Sequence, residues 1–140
     1  MSDRLIYWNN VYSKSELKRN KDFWLDKYES ILLRHKSEII IDLGCGIGDD
    51  SIYLVQKGFN VTACDFSDEA LKIVNRKIPE LKTLRFDMLE GFPFPDTSIG
   101  VIISDLSLHY FSDDETRKIT SDIKRVLMED GIFLCRVNSH

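Results

Sequence analysis

Three aspartates and three glycines in this 140-residue chain have the types and spacing to hold a small polar ligand. Asp42 follows the run Ile39-Ile40-Ile41, and Gly44, Gly46 and Gly48 come next at alternate positions. Glycines so placed let the backbone turn sharply and approach a bound molecule, since no Cβ intervenes. Asp49, Asp50 and Ser51 then open a helical pattern whose free N–H groups and positive dipole end face the loop. Asp65 stands 21 residues after Gly44, at the end of the next apolar run. At that place in nucleoside-binding α/β folds a carboxylate accepts bonds from two adjacent ribose hydroxyls. Phe66 follows and is placed to cover one face of a base. Asp87 closes a third predicted strand, so acids recur at the strand ends, the edge where open α/β sheets bind ligands.

The spacing discriminates between ligands. A dinucleotide fingerprint, G-x-G-x-x-G, started at Gly44 requires glycine at position 49, where Asp49 would oppose a pyrophosphate. That feature stands against a nucleotide-binding oxidoreductase. What stands instead is D-x-G-x-G-x-G, and the string Asp-Leu-Gly-Cys-Gly-Ile-Gly-Asp-Asp-Ser-Ile-Tyr-Leu, residues 42–54, resembles motif I of the class I S-adenosylmethionine-dependent methyltransferases. It is similar in particular to small-molecule methyltransferases of the tellurite-resistance and thiopurine type. The charges agree, because a sulfonium cofactor carries cationic groups and no phosphate, and acids around the loop favour it.

The resemblance implies S-adenosylmethionine as cofactor, held by Asp42, Gly44, Cys45, Gly46, Asp65, Phe66, Asp87, Met88 and Ser104, with Asp87 and Met88 at the adenine amino group. It implies methyl transfer to an acceptor, expected to be a small molecule. The stretch Asp105 to Phe111 matches in position the family's fourth motif, the wall between sulfonium and acceptor. In-line displacement at a sulfonium releases a neutral thioether, so proximity and orientation suffice for a thiolate, amine or soft anion, and a base is needed mainly for a hydroxyl. Asp105 and His109 are the candidates for such a base, a packed or water-facing histidine being the other reading of His109. A short N-terminal segment often closes over the cofactor in this family, which would make Trp8 and Tyr12 lid residues; ordinary surface packing is the alternative. A module that binds the cofactor or its product without turnover, alone or with a partner, is the second class left open.

These residues need an alternating βαβ frame. Phe23, Trp24, Tyr28, Ile31 and Leu32 recur at helical spacing after Asn20, predicting a helix from about 21 to 35 with its aromatics toward the sheet. A first strand precedes Gly44, and the helix after the loop stops at Lys57-Gly58. Phe59 to Cys64 reads as strand two, Ser67 caps the next helix, and Lys82 to Phe86 is strand three. Two prolines make residues 91–98 a loop. Ile99 to Ser104 is strand four, and Ser112 with Glu115 forms a capping box for a helix from about 113 to 128 that buries Ile119, Ile123 and Leu127. Glu129-Asp130-Gly131 reads as a turn before strand five, Ile132 to Val137. The expected fold is therefore α/β: a Rossmann-like, doubly wound, mainly parallel sheet of order 3-2-1-4-5 with helices on both faces.

Length allows one domain with one core. No apolar run reaches membrane-spanning length and no signal segment is evident, so a cytoplasmic location without membrane attachment is expected. A net charge of −4 gives no general attraction to nucleic acid, which is not expected as a partner. Cys45, Cys64 and Cys135 are scattered, as are the three histidines, so neither a disulfide framework nor a metal cluster is indicated. Relative to the resembling family the expectation is a C-terminally short domain without the last two strands of the sheet after strand five, either as a fragment of a longer chain or as a naturally short form. The corresponding expectation is an open strand-five edge, available for self-association.

Overall fold

The computed structural model describes residues 23–137. Five strands form one sheet, β1 (Ile39–Leu43), β2 (Asn60–Asp65), β3 (Lys82–Arg85), β4 (Ile99–Asp105) and β5 (Leu127–Arg136), in the order β3-β2-β1-β4-β5. Every neighbouring pair is parallel, as right-handed crossovers through intervening helices require. The expected order is thus observed among the described residues, and the switch point lies above the glycine loop, between β1 and β4.

The central strands are apolar on both faces because both faces are covered. Ile40, Val61, Ala63, Val101 and Ile103 point to one side, packing with Leu25, Leu32, Leu54 and Val74. Ile41, Leu43, Ile99 and Ile102 point to the other, against Ile119, Ile123 and Val126. The first layer belongs to α1 (Glu29–Leu33), α2 (Asp49–Gln56) and α3 (Asp68–Lys77); the second belongs to α4 (Asp113–Val126). Burying each such isoleucine contributes roughly 1.5–3 kcal/mol, so these alternating positions fix the register of the strand ends that carry the acids.

Capping follows the sequence closely. Ser67 Oγ accepts from the Ala70 N–H at 3.2 Å, and Ser112 and Glu115 form the reciprocal box at the head of α4. Gly58 takes a positive φ of 87° just after α2 ends.

Three expectations need correction. The helix predicted from about 21 to 35 is, within the described residues, a 3₁₀ turn over Trp24–Tyr28 followed by the short α1. Leu25 and Leu32 are its buried residues, seven positions and hence two turns apart, while Trp24 and Tyr28 lie at the margin and Phe23 is exposed. Trp24 sits there because its indole is engaged elsewhere, as described below. At the other end α4 stops at Val126, and Leu127, expected on its buried face, opens β5 instead. The Thr97 and Ser98 N–H groups donate to the Arg125 and Val126 carbonyls at 2.9 and 2.8 Å, which draws the last helical turn onto β4. Ile99 then pairs with Leu127 and Val101 with Ile132, so the predicted turn at Glu129-Asp130-Gly131 is a bulge within the strand.

Arg125 also fastens the 91–98 loop, donating to the carbonyls of Phe92 and Phe94 and to Asp96. Phe92 and Phe94 thereby pack on Phe86, with ring centroids 5.4 and 5.9 Å away. No helix of the described residues is long and apolar enough to cross a membrane.

Candidate functional site

A cleft of about 260 Å³ opens at the C-terminal edge of the sheet, over the switch point. Its floor is the loop after β1. Gly44, Gly46 and Gly48 all have positive φ, and at Gly44 (69°) glycine is required twice over. A Cβ there would lie 2.7 Å from the Cβ of Ser107 and 3.2 Å from Met88 Cε.

The loop is tied down by the strand beside it. The Cys45 N–H donates to the Cys64 carbonyl at 2.8 Å, and the Gly46 N–H donates to Asp65 Oδ2 at 3.0 Å. Asp65 Oδ1 accepts from the Ser67 N–H at 2.9 Å, so one carboxylate joins the loop, β2 and the cap of α3. Burial pushes the Asp65 carboxyl above its ordinary range, opposed by the Ser67, Gly46 and Phe66 N–H groups that favour the anion. Each carboxylate oxygen has a second lone pair, which leaves acceptor capacity for a ligand hydroxyl.

Asp87 follows the same local logic on the next strand. Its Oδ1 caps the 3₁₀ turn Met88–Glu90 by accepting from the Leu89 N–H at 2.9 Å. Phe66, Phe86 and Met88 line the cleft beside it and give an apolar slot flanked by two carboxylates.

The opposite wall comes from the end of β4. Asp105, Leu106, Ser107, Tyr110 and Phe111 line it. Leu106 has φ of 59°, a left-handed conformation that costs a non-glycine residue free energy, held by its N–H donating to the Arg136 carbonyl at 2.7 Å. The turn lowers Ser107 onto the floor, where its Oγ donates to the Leu43 carbonyl at 3.2 Å and meets Ser104 Oγ at 2.6 Å. Asp105 takes both Nε and Nη2 of Arg136, at 2.8 and 2.9 Å.

Of the residues nominated from sequence, Gly44, Cys45, Gly46, Asp65, Phe66, Asp87, Met88 and Asp105 come together around this one cleft. Asp42 and Ser104 do not line it; both are buried beneath. Asp42 accepts from Ser51 Oγ at 2.7 Å and so braces the loop against α2, and burial pushes its carboxyl up to about 7. Trp8 and Tyr12 lie outside the described residues, as does the side chain of His109. Burial, with the Asp42 and Asp65 charges close by, pushes the Cys45 thiol well above its ordinary range.

Sequence reasoning missed the links from Asp50 and from Asp105 to distant side chains. Trp24 Nε1 donates to Asp50 Oδ1 at 3.1 Å, and the Arg136 guanidinium lies 5.1 Å from the centroid of the same indole. One signal was available: Arg136 is a lone cation within the run Ile132 to Val137, beside a strand that ends in an acid. No group of residues suited to a metal ion occurs among the described residues.

Residues 40–131 match the methyltransferase domain family. YqeM of Bacillus subtilis, named as a methyltransferase, is 36% identical over 104 residues, covering 71% of this chain and 42% of that protein. A methyltransferase-named protein of Geobacillus sp. strain WCH70 is 30% identical over 98% of this chain and 57% of its own length. The chain therefore spans about half the length of such relatives. Among solved structures, the PH0226 protein from Pyrococcus horikoshii OT3 superposes with a TM-score of 0.72 at 20% identity, over 90% of this chain and 64% of that one. The complex of the Haloferax volcanii Trm112 methyltransferase activator with its methyltransferase gives 0.73 at 21% identity, over 93% of this chain and 59% of that one.

Proposed function

We propose that this chain, which belongs to the class I S-adenosylmethionine-dependent methyltransferase family, binds S-adenosylmethionine in the cleft above Gly44 and directs its methyl group to a small acceptor. The observation that carries this reading is the chemistry of the lining. Asp65, Asp87 and Asp105 face a glycine floor, and no lysine or arginine is among the described residues that line the cleft. Such a site suits a ligand with cationic sulfur and nitrogen and suits a pyrophosphate badly. The floor also leaves space that a Cβ at Gly44 would fill.

In this reading Asp65 accepts from the ribose hydroxyls, Asp87 and Met88 meet the adenine edge, and Phe66 and Phe86 cover the ring. Gly44, Cys45 and Gly46 lie against the amino-acid end, and Asp42 and Ser104 act from below by fixing the loop and Ser107. When bound, the cofactor supplies a methyl group on a sulfonium whose departure leaves a neutral thioether. The chain's own task is then orientation and exclusion of water, with Leu106, Tyr110 and Phe111 walling the acceptor side. Both oxygens of Asp105 are engaged by Arg136, so a base role for Asp105 would require that pair to open. An acceptor that reaches the transfer point as a free amine or thiolate needs no such base.

The acid-lined rim favours neutral or cationic acceptors over a polyanion such as RNA. The test is transfer of labelled methyl groups to a panel of small amines, thiols and phenols, beside RNA and protein acceptors. Label in a small neutral or cationic acceptor is expected; label confined to RNA would contradict the acceptor class. Tight cofactor binding with no transfer to any acceptor would favour the non-catalytic or partner-dependent module.

A further inference from the structure

We propose that Ser107 is a cofactor-binding residue whose hydroxyl is held as a hydrogen-bond acceptor toward the cleft, where it receives the amine at the amino-acid end of the ligand. This role rests on the cofactor reading above. The sequence offers Ser107 only as one residue of the stretch Asp105 to Phe111. The fold sets it against the floor, where a Cβ at Gly44 would lie 2.7 Å from Ser107 Cβ and 2.9 Å from its Oγ. Ser107 lines the cleft and is half-buried, on the side of the floor assigned to the amino-acid end.

A serine hydroxyl has one proton to donate and two lone pairs that accept. Ser107 Oγ makes two contacts, one with the Leu43 carbonyl at 3.2 Å and one with Ser104 Oγ at 2.6 Å. A carbonyl can only accept, so the Ser107 proton goes to Leu43 and the shorter contact carries the proton of Ser104. Ser104 is fully buried and does not line the cleft. Its partner across the ladder is Cys135, whose sulfur is the weaker acceptor. The relay therefore runs from Ser104 through Ser107 to the end of β1, and it leaves Ser107 one lone pair and no proton. Among the described residues no other hydrogen bond reaches that oxygen. With both contacts directed at the ends of β1 and β4, the position left is the one open to the cleft.

An acceptor at this place suits a donor and opposes a carboxylate. Of the two charged groups at the amino-acid end of the cofactor, the ammonium donates and the carboxylate only accepts. Asp65, Asp87 and Asp105 attract any cation into the cleft from a distance. A single oxygen at bonding distance does more, because it tells an amine from a methylene and sets which way round the amino-acid portion lies.

The test uses two ligands that differ at the amine alone, S-adenosylhomocysteine and its analogue with hydrogen in place of the α-amino group. Calorimetric titration of both into wild type, Ser107→Ala, Ser107→Cys and Ser107→Thr gives the preference for the amine in each chain. Ser107→Ala should weaken S-adenosylhomocysteine about tenfold, the scale of a lost hydrogen bond to a charged group, and change the analogue by no more than about twofold. Ser107→Cys fills the space with a weak acceptor and should lose the preference as well, which carries the test if the alanine chain does not fold. Ser107→Thr keeps the hydroxyl and should keep the preference. Variants that lose both ligands alike would make the hydroxyl a tie between β1 and β4 alone and overturn the proposal, as would a threonine chain no more selective than the alanine chain. Wild type that binds both ligands equally would overturn the role of Ser107 and leave the cofactor reading in place, whereas wild type that binds neither would sink the cofactor reading and this role with it.

Discussion

On the β2 and β3 side of the cleft, each acid is held by backbone N–H groups close to it: Asp65 by Gly46 and Ser67, Asp87 by Leu89. On the β4 and β5 side, Asp105 is held by a guanidinium 31 residues away, which itself lies over the indole of Trp24. The first arrangement needs only strand ends followed by turns, so the peptide geometry builds it and the carboxylates keep capacity for a ligand. The second is a side-chain assembly whose members each depend on the others. The β2 and β3 side, the left of the cleft, is accordingly set by backbone geometry, and the β4 and β5 side, its right, by contacts between side chains of distant elements.

The largest way to break this contrast is at the seam. Gly44→Ala puts a Cβ within 2.7 Å of Ser107 at a φ of 69°, joining left-handed strain to a clash with the right wall. A stability loss of roughly 2–4 kcal/mol by denaturant unfolding is expected, with cofactor binding lost. Stability and affinity near wild type would mean that the two sides do not meet at Gly44.

A substitution on the left side acts on affinity. Asp65→Ala should weaken S-adenosylmethionine by roughly 1.5–3 kcal/mol, the usual effect of losing a hydrogen bond to a charged group. Calorimetry showing wild-type affinity would remove Asp65 from the ribose role.

The smallest effect belongs to the right side and is a coupling. Arg136→Leu and Asp105→Asn, alone and together, form a double-mutant cycle for a two-bond pair whose side chains are 24% and 21% exposed. A coupling of about 1 kcal/mol in stability is expected. A value indistinguishable from zero would reduce Arg136 to a surface cation and remove the support of Asp105.

The same contrast explains what the sequence discloses. The sheet order followed from alternation of apolar runs with capped helices, and Ser67, Ser112 and Gly58 cap where their types predicted. Asp65 and Asp87 were legible because strand ends near a glycine loop bring them together by topology alone. Asp42 and Ser104 were legible as important but not as buried supports, since a one-residue alternation in side-chain direction decides between cleft and core. The Trp24, Asp50, Asp105 and Arg136 assembly was not legible, because it joins four elements through side-chain geometry that no local pattern encodes. The α4 to β5 boundary was misjudged for a similar reason: two N–H groups from the 97–98 loop, distant in sequence, end the helix.

The most direct measurement is isothermal titration of the chain with S-adenosylmethionine, S-adenosylhomocysteine and NAD in parallel. Saturable one-to-one binding of the first two, with NAD giving no heat beyond dilution, is the predicted result. Binding of NAD in preference to either, or displacement of S-adenosylmethionine by NAD at comparable concentration, would contradict the assignment of the acid-lined cleft.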